Sequence, residues 1–296
     1  MAPTATSTSA LRSREPVAER TMAFHFDRPA GFEFRAGQYM MVTLANPPET
    51  DAEGNTRTFT IASSPSDLDL MITTRMRDTA FKRVLRTVAL PAEVKIAGPY
   101  GAFTLHKAPG EPGTLHKAPA KPAVFLAGGI GITPFFSIST QAARDKLPQQ
   151  LYFFYSNRRP EDAAFLTALL DLAGQNPNFH FVPTMTEMEK SKMDWKGERG
   201  SINGEMLARH LPSLPGLKPG NLHNALRGSK EPLFHQGQGP IVHKAKEPLF
   251  HQQEPLLDRP IYYIAGPPAM VAAMRQMLAA AGADEDDMRT EEFSGY

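Results

Sequence analysis

The sequence predicts two domains: an antiparallel β-barrel, then an α/β domain with a doubly wound parallel sheet. The chain has 296 residues, of which 41% are hydrophobic and 21% charged. This size and composition are sufficient for two folded cores. Short β-like segments separated by Gly, Pro, Asn and Asp fill the first third, and strands alternate with helices from about residue 121. The first pattern is typical of a small barrel and the second of a parallel sheet.

The domain boundaries follow these changes of pattern. We expect the Ser-, Thr- and Ala-rich segment 1–14 to be a disordered tail, because it has no apolar core. The remaining predicted parts are the barrel at 15–106, a linker at 107–120 and the α/β domain at 121–296, with a long loop insert at about 213–257.

Five strands and one helix are predicted in the barrel. The strands cover 21–26, 38–44, 57–62, 70–74 and 93–96. Apolar residues at 81, 84, 85 and 88 have helical spacing, either Asp78 or Thr79 can cap that helix, and Pro91 ends it.

The α/β domain is expected to contain strands at 123–126, 151–155, 179–182 and 261–265. Helices are predicted at about 135–143, 163–172 and 269–280. In such sheets ligands bind at the carboxyl ends of the strands.

Composition excludes several classes of function. A net charge of +1 gives no strong field for nucleic acid or an anionic membrane. No apolar run approaches the roughly 20 residues that span a bilayer, so a cytoplasmic location is expected. The absence of cysteine rules out disulfides, thiolate-bound iron–sulfur clusters and thiolate zinc sites. If the protein transfers electrons, it does so through an organic cofactor or a separate protein.

The segment 57–63 has the pattern Arg-x-Phe-Thr-x-x-Ser, which suits a flavin nucleotide. Arg57 offers a planar fork of donors for phosphate, Phe59 an apolar face for a ring, and Thr60 a hydroxyl for a ring nitrogen. An ordinary half-buried strand is the alternative interpretation. Lys82 and Arg83 in the first turn of the following helix favour a bound anion there, because unpaired cations oppose the helix dipole.

Two glycine-bearing turns follow predicted strands, at 128–131 and 266–268. Glycine allows a phosphate to approach the backbone, and the following helix start favours negative charge. Each turn alone could serve packing only, but the pair favours a nucleotide site.

Ser156, Arg158 and Arg159 follow the 151–155 strand and precede the first acids, Glu161 and Asp162. Arginine at this place accommodates the 2′-phosphate of NADP, whereas an acid binds the ribose of NAD. The order favours NADPH. A solvated loop in which Glu161 serves a ribose is the alternative.

In this order, the motifs resemble the plant-type ferredoxin–NADP⁺ reductase superfamily, in a bacterial short form without an iron–sulfur or haem domain. The resemblance covers about 15–211 and 258–296 and includes the carboxyl-terminal Glu291-Glu292-Phe293-Ser294-Gly295-Tyr296. It implies an FAD-binding barrel, an NAD(P)-binding domain and hydride transfer from nicotinamide to flavin N5 in the cleft between them.

The resemblance also assigns roles to residues. Thr60, beside flavin N5, and Glu292, as a proton relay with a solvated carboxylate as the alternative, are the catalytic candidates. The implied cofactor contacts are Arg57, Phe59, Thr60, Thr73, Thr74, Arg75, Thr79, Gly129, Gly131, Thr133, Pro134, Ser156, Arg158, Arg159, Gly266, Pro267, Met270, Phe293 and Tyr296. No metal ligand is assigned.

The electron acceptor is expected to be separate: a ferredoxin, a flavodoxin, an oxygenase component or a small molecule. A nucleotide-binding regulatory subunit without turnover is the alternative function, and a histidine-bearing metal-binding interaction protein is a third. Two short repeats, one near the linker and one inside the insert, are too few for a repeat fold. For the insert, disorder is favoured over partner docking and over metal binding by His223, His235, His243 and His251.

Overall fold

The fold consists of two six-stranded sheets, seen in a computed structural model that describes residues 6–107, 120–211 and 259–293. In the first sheet the strand order is β4-β3-β6-β1-β2-β5 and every pairing is antiparallel. In the second the order is β10-β9-β8-β7-β11-β12 and every pairing is parallel. The predicted fold class is confirmed.

The barrel elements are β1 (Thr6–Ala18), β2 (Thr21–Asp27), β3 (Tyr39–Leu44), β4 (Thr56–Thr60), β5 (Asp69–Arg75), α1 (Ala80–Thr87) and β6 (Ala92–Tyr100). The second domain comprises β7 (Ala123–Gly128), α2 (Ile132–Arg144), β8 (Leu151–Asn157), α3 (Leu166–Gln175), β9 (Phe179–Met185), β10 (Glu198–Arg199), α4 (Gly204–His210), β11 (Ile261–Gly266), α5 (Pro268–Ala280) and β12 (Met288–Glu292). The edges of the first sheet meet where the Ala62 amide donates to the Met71 carbonyl at 2.7 Å.

The expectation of a disordered tail is wrong for residues 6–14, which lie in β1. This strand pairs with both β2 and β6, and Leu11 is fully buried between them. Arg14 donates to the carbonyls of Leu85 and Val88 at 2.9 Å, where α1 ends. A Ser- and Thr-rich segment gives little hydrophobic signal. The backbone ladder on both sides supplies the partners that composition does not indicate.

The two domains pack through the outer face of α2. Phe136 of α2 and Phe165 stack with ring centroids 4.0 Å apart and cover a small apolar cluster of the barrel formed by Ala23, Ala62 and Met71. The Ser137 hydroxyl donates to the Ser63 carbonyl at 2.6 Å. The segment that follows β4 is therefore fixed against the helix that follows the first glycine turn.

Some predictions concern parts of the chain outside the described residues. These are the insert with its four histidines, most of the linker and Tyr296. Among the helices that the structure does describe, none has the length and apolar character needed to cross a membrane.

Candidate nucleotide-binding site

A cavity of about 660 Å³ lies at the seam between the domains. The barrel contributes the turn after β1 and the end of β5, with Arg20, Arg75 and Arg77. The α/β domain contributes the carboxyl ends of β7, β8 and β11. Both glycine turns therefore border one cavity, at the sheet edge where parallel α/β folds bind ligands.

The two glycine turns pack directly against each other. A Cβ atom on Gly131 would overlap the Ala265 carbonyl, and one on Gly128 would overlap the Met270 sulfur. Gly129 has a φ of +53°, a conformation that glycine adopts without strain. Its position beside the Arg75 guanidinium places this turn opposite the barrel rim.

The other predicted residues of these turns have separate positions. Thr133 and Pro134 are buried in the first turn of α2, and the Thr133 hydroxyl donates to the Ile130 carbonyl at 3.2 Å. Gly266 ends β11, Pro267 precedes α5, and the Met270 side chain covers Gly128. Pro267 and Met270 line the seam cavity, whereas the Thr133 hydroxyl is engaged inside the protein.

The two arginines after β8 have different environments. The Arg159 guanidinium binds Glu19 of the barrel at 2.8 Å and Asp162 at 2.9 Å. The Arg158 side chain is 76% exposed, and its Nε atom lies 3.6 Å from a Glu187 carboxylate oxygen. Both border the cavity together with Ser156. Arg159 thus joins the domains, and Arg158 is the more available donor for a ligand phosphate.

Arg57, the predicted phosphate ligand, is bound by the loop that joins β3 and β4. Its Nη2 atom lies 2.6 Å from Asp51, and its Nε atom lies 2.9 Å from Glu53. Its Nη1 atom donates to the carbonyls of Glu53, Gly54 and Thr56 at 2.9–3.0 Å. The guanidinium also lies over the Phe81 ring of α1, 5.3 Å from its centroid.

The rest of the flavin motif lies along β4. Phe59 is half-buried, with its ring centroid 5.8 Å from that of Phe81. Thr60 is buried and pairs with Tyr39. On β5, the Thr73 hydroxyl is buried without a hydrogen-bond partner within the described ranges, whereas the Thr74 hydroxyl bonds the Arg75 carbonyl at 3.4 Å.

Positive charge gathers where α1 begins. Thr79 caps the helix by accepting from the Lys82 amide at 3.4 Å. Burial, and then the neighbouring Arg77 and Arg57, lower the pKa of Lys82 to about 8. A helix start surrounded by these cations is suited to an anion. Together with the Phe59 face and the unpaired Thr73 hydroxyl, these donors fit the phosphates and ring system of FAD.

The two carboxyl-terminal acids, Glu291 and Glu292, have different environments. Glu292, the predicted proton relay, is exposed, whereas its neighbour Glu291 is half-buried. Burial raises the pKa of Glu291 to about 7, and in the described part of the chain its Oε2 atom has no hydrogen-bond partner. Glu291 borders a second cavity, of about 830 Å³, beside Arg35 and Tyr39. Alternation along β12 is the signal that distinguishes the two acids.

Phe293 follows these acids and completes the described chain. Its amide donates to the Gly266 carbonyl at 3.0 Å, and its ring packs on the core of the α/β domain. The carboxyl-terminal segment is therefore tied to the second glycine turn.

Fold and cavity together define a protein of two domains, a β-barrel and an α/β domain, with a cavity at the seam between them. Residues 125–233 match the family model for the oxidoreductase NAD-binding domain. The chain is 24% identical over 267 residues to the reductase component of propane 2-monooxygenase from Rhodococcus jostii, covering 90% of this chain and 57% of that protein. It is 29% identical over 196 residues to the glycine betaine monooxygenase reductase subunit of Chromohalobacter salexigens, covering 65% of this chain and 50% of that protein.

Solved structures support the same assignment of the fold. A ferredoxin NADP⁺ reductase from Neisseria gonorrhoeae with bound FAD and NADP matches with a TM-score of 0.64 at 17% identity, over 97% of this chain and 98% of that one. The cytochrome P450 reductase GcoB of Amycolatopsis matches with a TM-score of 0.66 at 18% identity, over 98% of this chain and 71% of that one. The predicted resemblance is confirmed: the chain has the fold of the ferredoxin reductase-like FAD/NAD-binding oxidoreductases. It spans about half the length of the curated relatives it matches.

Proposed function

We propose that the chain is an FAD-dependent NAD(P)H oxidoreductase that passes electrons to a separate acceptor. One observation carries this proposal: the segment after the flavin-motif strand and the end of β5 lie against the α/β domain at the seam that both glycine turns border. Ser63, the last residue of the motif, accepts a hydrogen bond from α2, and Arg75 lies beside Gly129. These contacts support two nucleotide sites, one in each domain, that would face each other across the domain boundary.

Residues of the barrel would hold the flavin. Arg57, Lys82 and the Thr79 cap supply donors and positive charge for the pyrophosphate, while Phe59 and Thr60 line the ring system. When bound, FAD supplies the chemistry that accepts hydride from NAD(P)H and releases electrons singly. The protein's task is to orient the two nucleotides and exclude water between them.

The α/β domain would hold the nicotinamide nucleotide, with NADPH favoured over NADH. The turns at Gly129 and Gly266 border the cavity that would take the dinucleotide. Arg158 is our proposed ligand of the 2′-phosphate, because Arg159 is engaged by two carboxylates. Glu291 replaces Glu292 as our candidate to hold and move a proton, because a carboxyl with a pKa of about 7 exchanges protons near neutral pH.

The names of the relatives narrow the class of acceptor. Reductase components of a propane monooxygenase and a glycine betaine monooxygenase favour an oxygenase component over a ferredoxin, a flavodoxin or a small molecule. We also propose a cytoplasmic location, as composition suggests.

Stopped-flow spectroscopy of the purified, FAD-loaded protein tests this function. We expect a yellow protein whose flavin absorption is bleached by NADPH faster than by NADH. A colourless protein that binds nucleotide without turnover supports the regulatory-subunit alternative. Stoichiometric metal in a colourless preparation supports the metal-binding alternative.

A further inference from the structure

Every nitrogen atom of the Arg57 guanidinium already contacts its own chain. Its three nitrogen atoms contact two carboxylates and three carbonyls, all from residues 51–56. The Arg57 side chain is only 17% exposed. A phosphate bound by the guanidinium fork uses two neighbouring N–H groups, and each pair of neighbouring nitrogen atoms in Arg57 already contacts these partners, so such a phosphate must displace at least one of them.

Asp51 occupies the position of an anion at this site. Besides its contact with Arg57, its Oδ1 atom accepts from the Glu53 amide at 3.1 Å. The pKa of Asp51 is held below its usual range, first by Arg57 and also by the amides of Glu53 and Ala80. Ala80 is the first residue of α1. One carboxylate therefore already binds the arginine that would hold the flavin phosphate.

The loop that carries Asp51 is attached to the barrel by contacts that can exchange. Asp51 sits in a tight turn closed by the Gly54 amide, which donates to the Asp51 carbonyl at 2.9 Å. Glu49 of the same loop pairs with Arg83 of α1, and both side chains are about 40% exposed. Exposed ion pairs contribute little to stability, so the loop can shift without disrupting the apolar core.

We propose that Asp51 competes with flavin phosphate for Arg57, and thereby makes the flavin of this protein exchangeable. Carboxylate and phosphate are alternative ligands of the same guanidinium fork. The competition applies to flavins that carry phosphate, FAD and FMN, and not to riboflavin. This inference rests on the proposed function, because it concerns the flavin that function requires.

The test is the flavin affinity of Asp51→Asn, measured by quenching of flavin fluorescence with FAD, FMN and riboflavin in parallel. Asparagine keeps the shape and an accepting oxygen but removes the charge. We expect FAD and FMN to bind about tenfold more tightly or better, and riboflavin to bind as in the wild type. Asp78→Asn is the matched control: it makes the same change of charge near the same helix start, but Asp78 pairs with Arg83.

A purely structural role of Asp51 gives a different result. Under the proposal, the weaker contact to Arg57 lowers the melting temperature of flavin-free Asp51→Asn while the affinity for flavin phosphate rises; a purely structural role lowers both. If FAD affinity is unchanged or weaker while riboflavin still binds, the proposal is overturned. If Asp51→Asn does not fold, Glu53→Gln decides. This variant removes the second carboxylate on Arg57, and it should tighten FAD about threefold; no change there overturns the proposal.

The same titrations separate this inference from the proposed function. Wild-type protein that binds FAD and is bleached by NADPH, alongside an Asp51→Asn variant with unchanged FAD affinity, contradicts the inference alone. Wild-type protein that binds no flavin contradicts both.

Discussion

The two anion sites of this protein are built in different ways. At the start of α1 the donors are side chains, chiefly Arg57. The carboxylates of Asp51 and Glu53 already pair with the Arg57 guanidinium. At the ends of β7 and β11 the site is made of backbone, and the two glycine turns leave no room between them. A side-chain site can exchange partners at modest cost, whereas a backbone site tolerates almost no change of shape.

The two sites therefore differ in what a substitution can change. At the barrel site, one substitution can remove the carboxylate that we propose as the competitor of flavin phosphate. At the strand-end site, the close packing of the glycine turns leaves little room for substitution, and Arg158 on the rim is the residue that we propose to select between nucleotides.

The largest effect is expected from Gly131→Ala, which tests the rigidity of the backbone site. The added methyl group would overlap the Ala265 carbonyl, so β7 or β11 must move. We predict a loss of about 2–4 kcal/mol of unfolding free energy and a loss of nucleotide binding, measured by denaturant unfolding and titration. Gly174→Ala in α3 is the control, because a Cβ atom there meets nothing within 4 Å and alanine favours the helix. Equal stability of the two variants would refute the close packing of the turns.

An intermediate effect is expected at the rim of the cavity, where Arg158→Ala and Arg159→Ala separate selectivity from domain packing. Arg158→Ala should raise the KM for NADPH about tenfold, the equivalent of ~1.4 kcal/mol, and leave the KM for NADH unchanged. Arg159→Ala removes the ion pair to Glu19 in the barrel, so both nucleotides should be affected alike and the melting temperature should fall. A KM ratio for NADPH and NADH that Arg158→Ala does not alter would remove Arg158 from the 2′-phosphate site.

The smallest effect is a change of stability with pH, tested by Glu291→Gln. Because burial raises the folded-state pKa of Glu291 to about 7 from 4.5, the folded state binds more protons than the unfolded state between those values. Wild-type stability should therefore fall as pH rises from about 4.5 to 7, by about 1–3 kcal/mol relative to Glu291→Gln. Thermal unfolding across this range measures the difference. Glu292→Gln, on the exposed side of β12, should keep the wild-type profile; parallel profiles for all three proteins would contradict the burial of Glu291.

Sequence alone was sufficient for the strands and helices that have strong periodicity or glycine turns. The 261–265 strand and the 269–280 helix were predicted to within one residue of β11 and α5. By contrast, β1 was missed because a strand of Ser and Thr residues has little apolar character. The two-residue β10 is too short to produce a periodic pattern.

The site was predicted as a set of motifs but not as a set of contacts. The pairing of Arg159 with Glu19 joins residues 140 positions apart, and the binding of Arg57 by Asp51 depends on how one loop folds back. The spacing of residues along the sequence indicates neither contact. Alternation along β12 places Glu291 and Glu292 on opposite faces of the strand, but which face turns inward depends on the packing of β12 and not on its sequence.

The central claim is that a flavin on β4 and a nicotinamide at the glycine turns meet across the domain seam. A crystal structure with FAD and NADP⁺ tests it most directly. We predict that the flavin ring lies beside Thr60 and that the dinucleotide crosses the cavity between Arg77 and Gly129, with the two rings in van der Waals contact. Rings held apart, or a dinucleotide bound away from this cavity, would contradict the account.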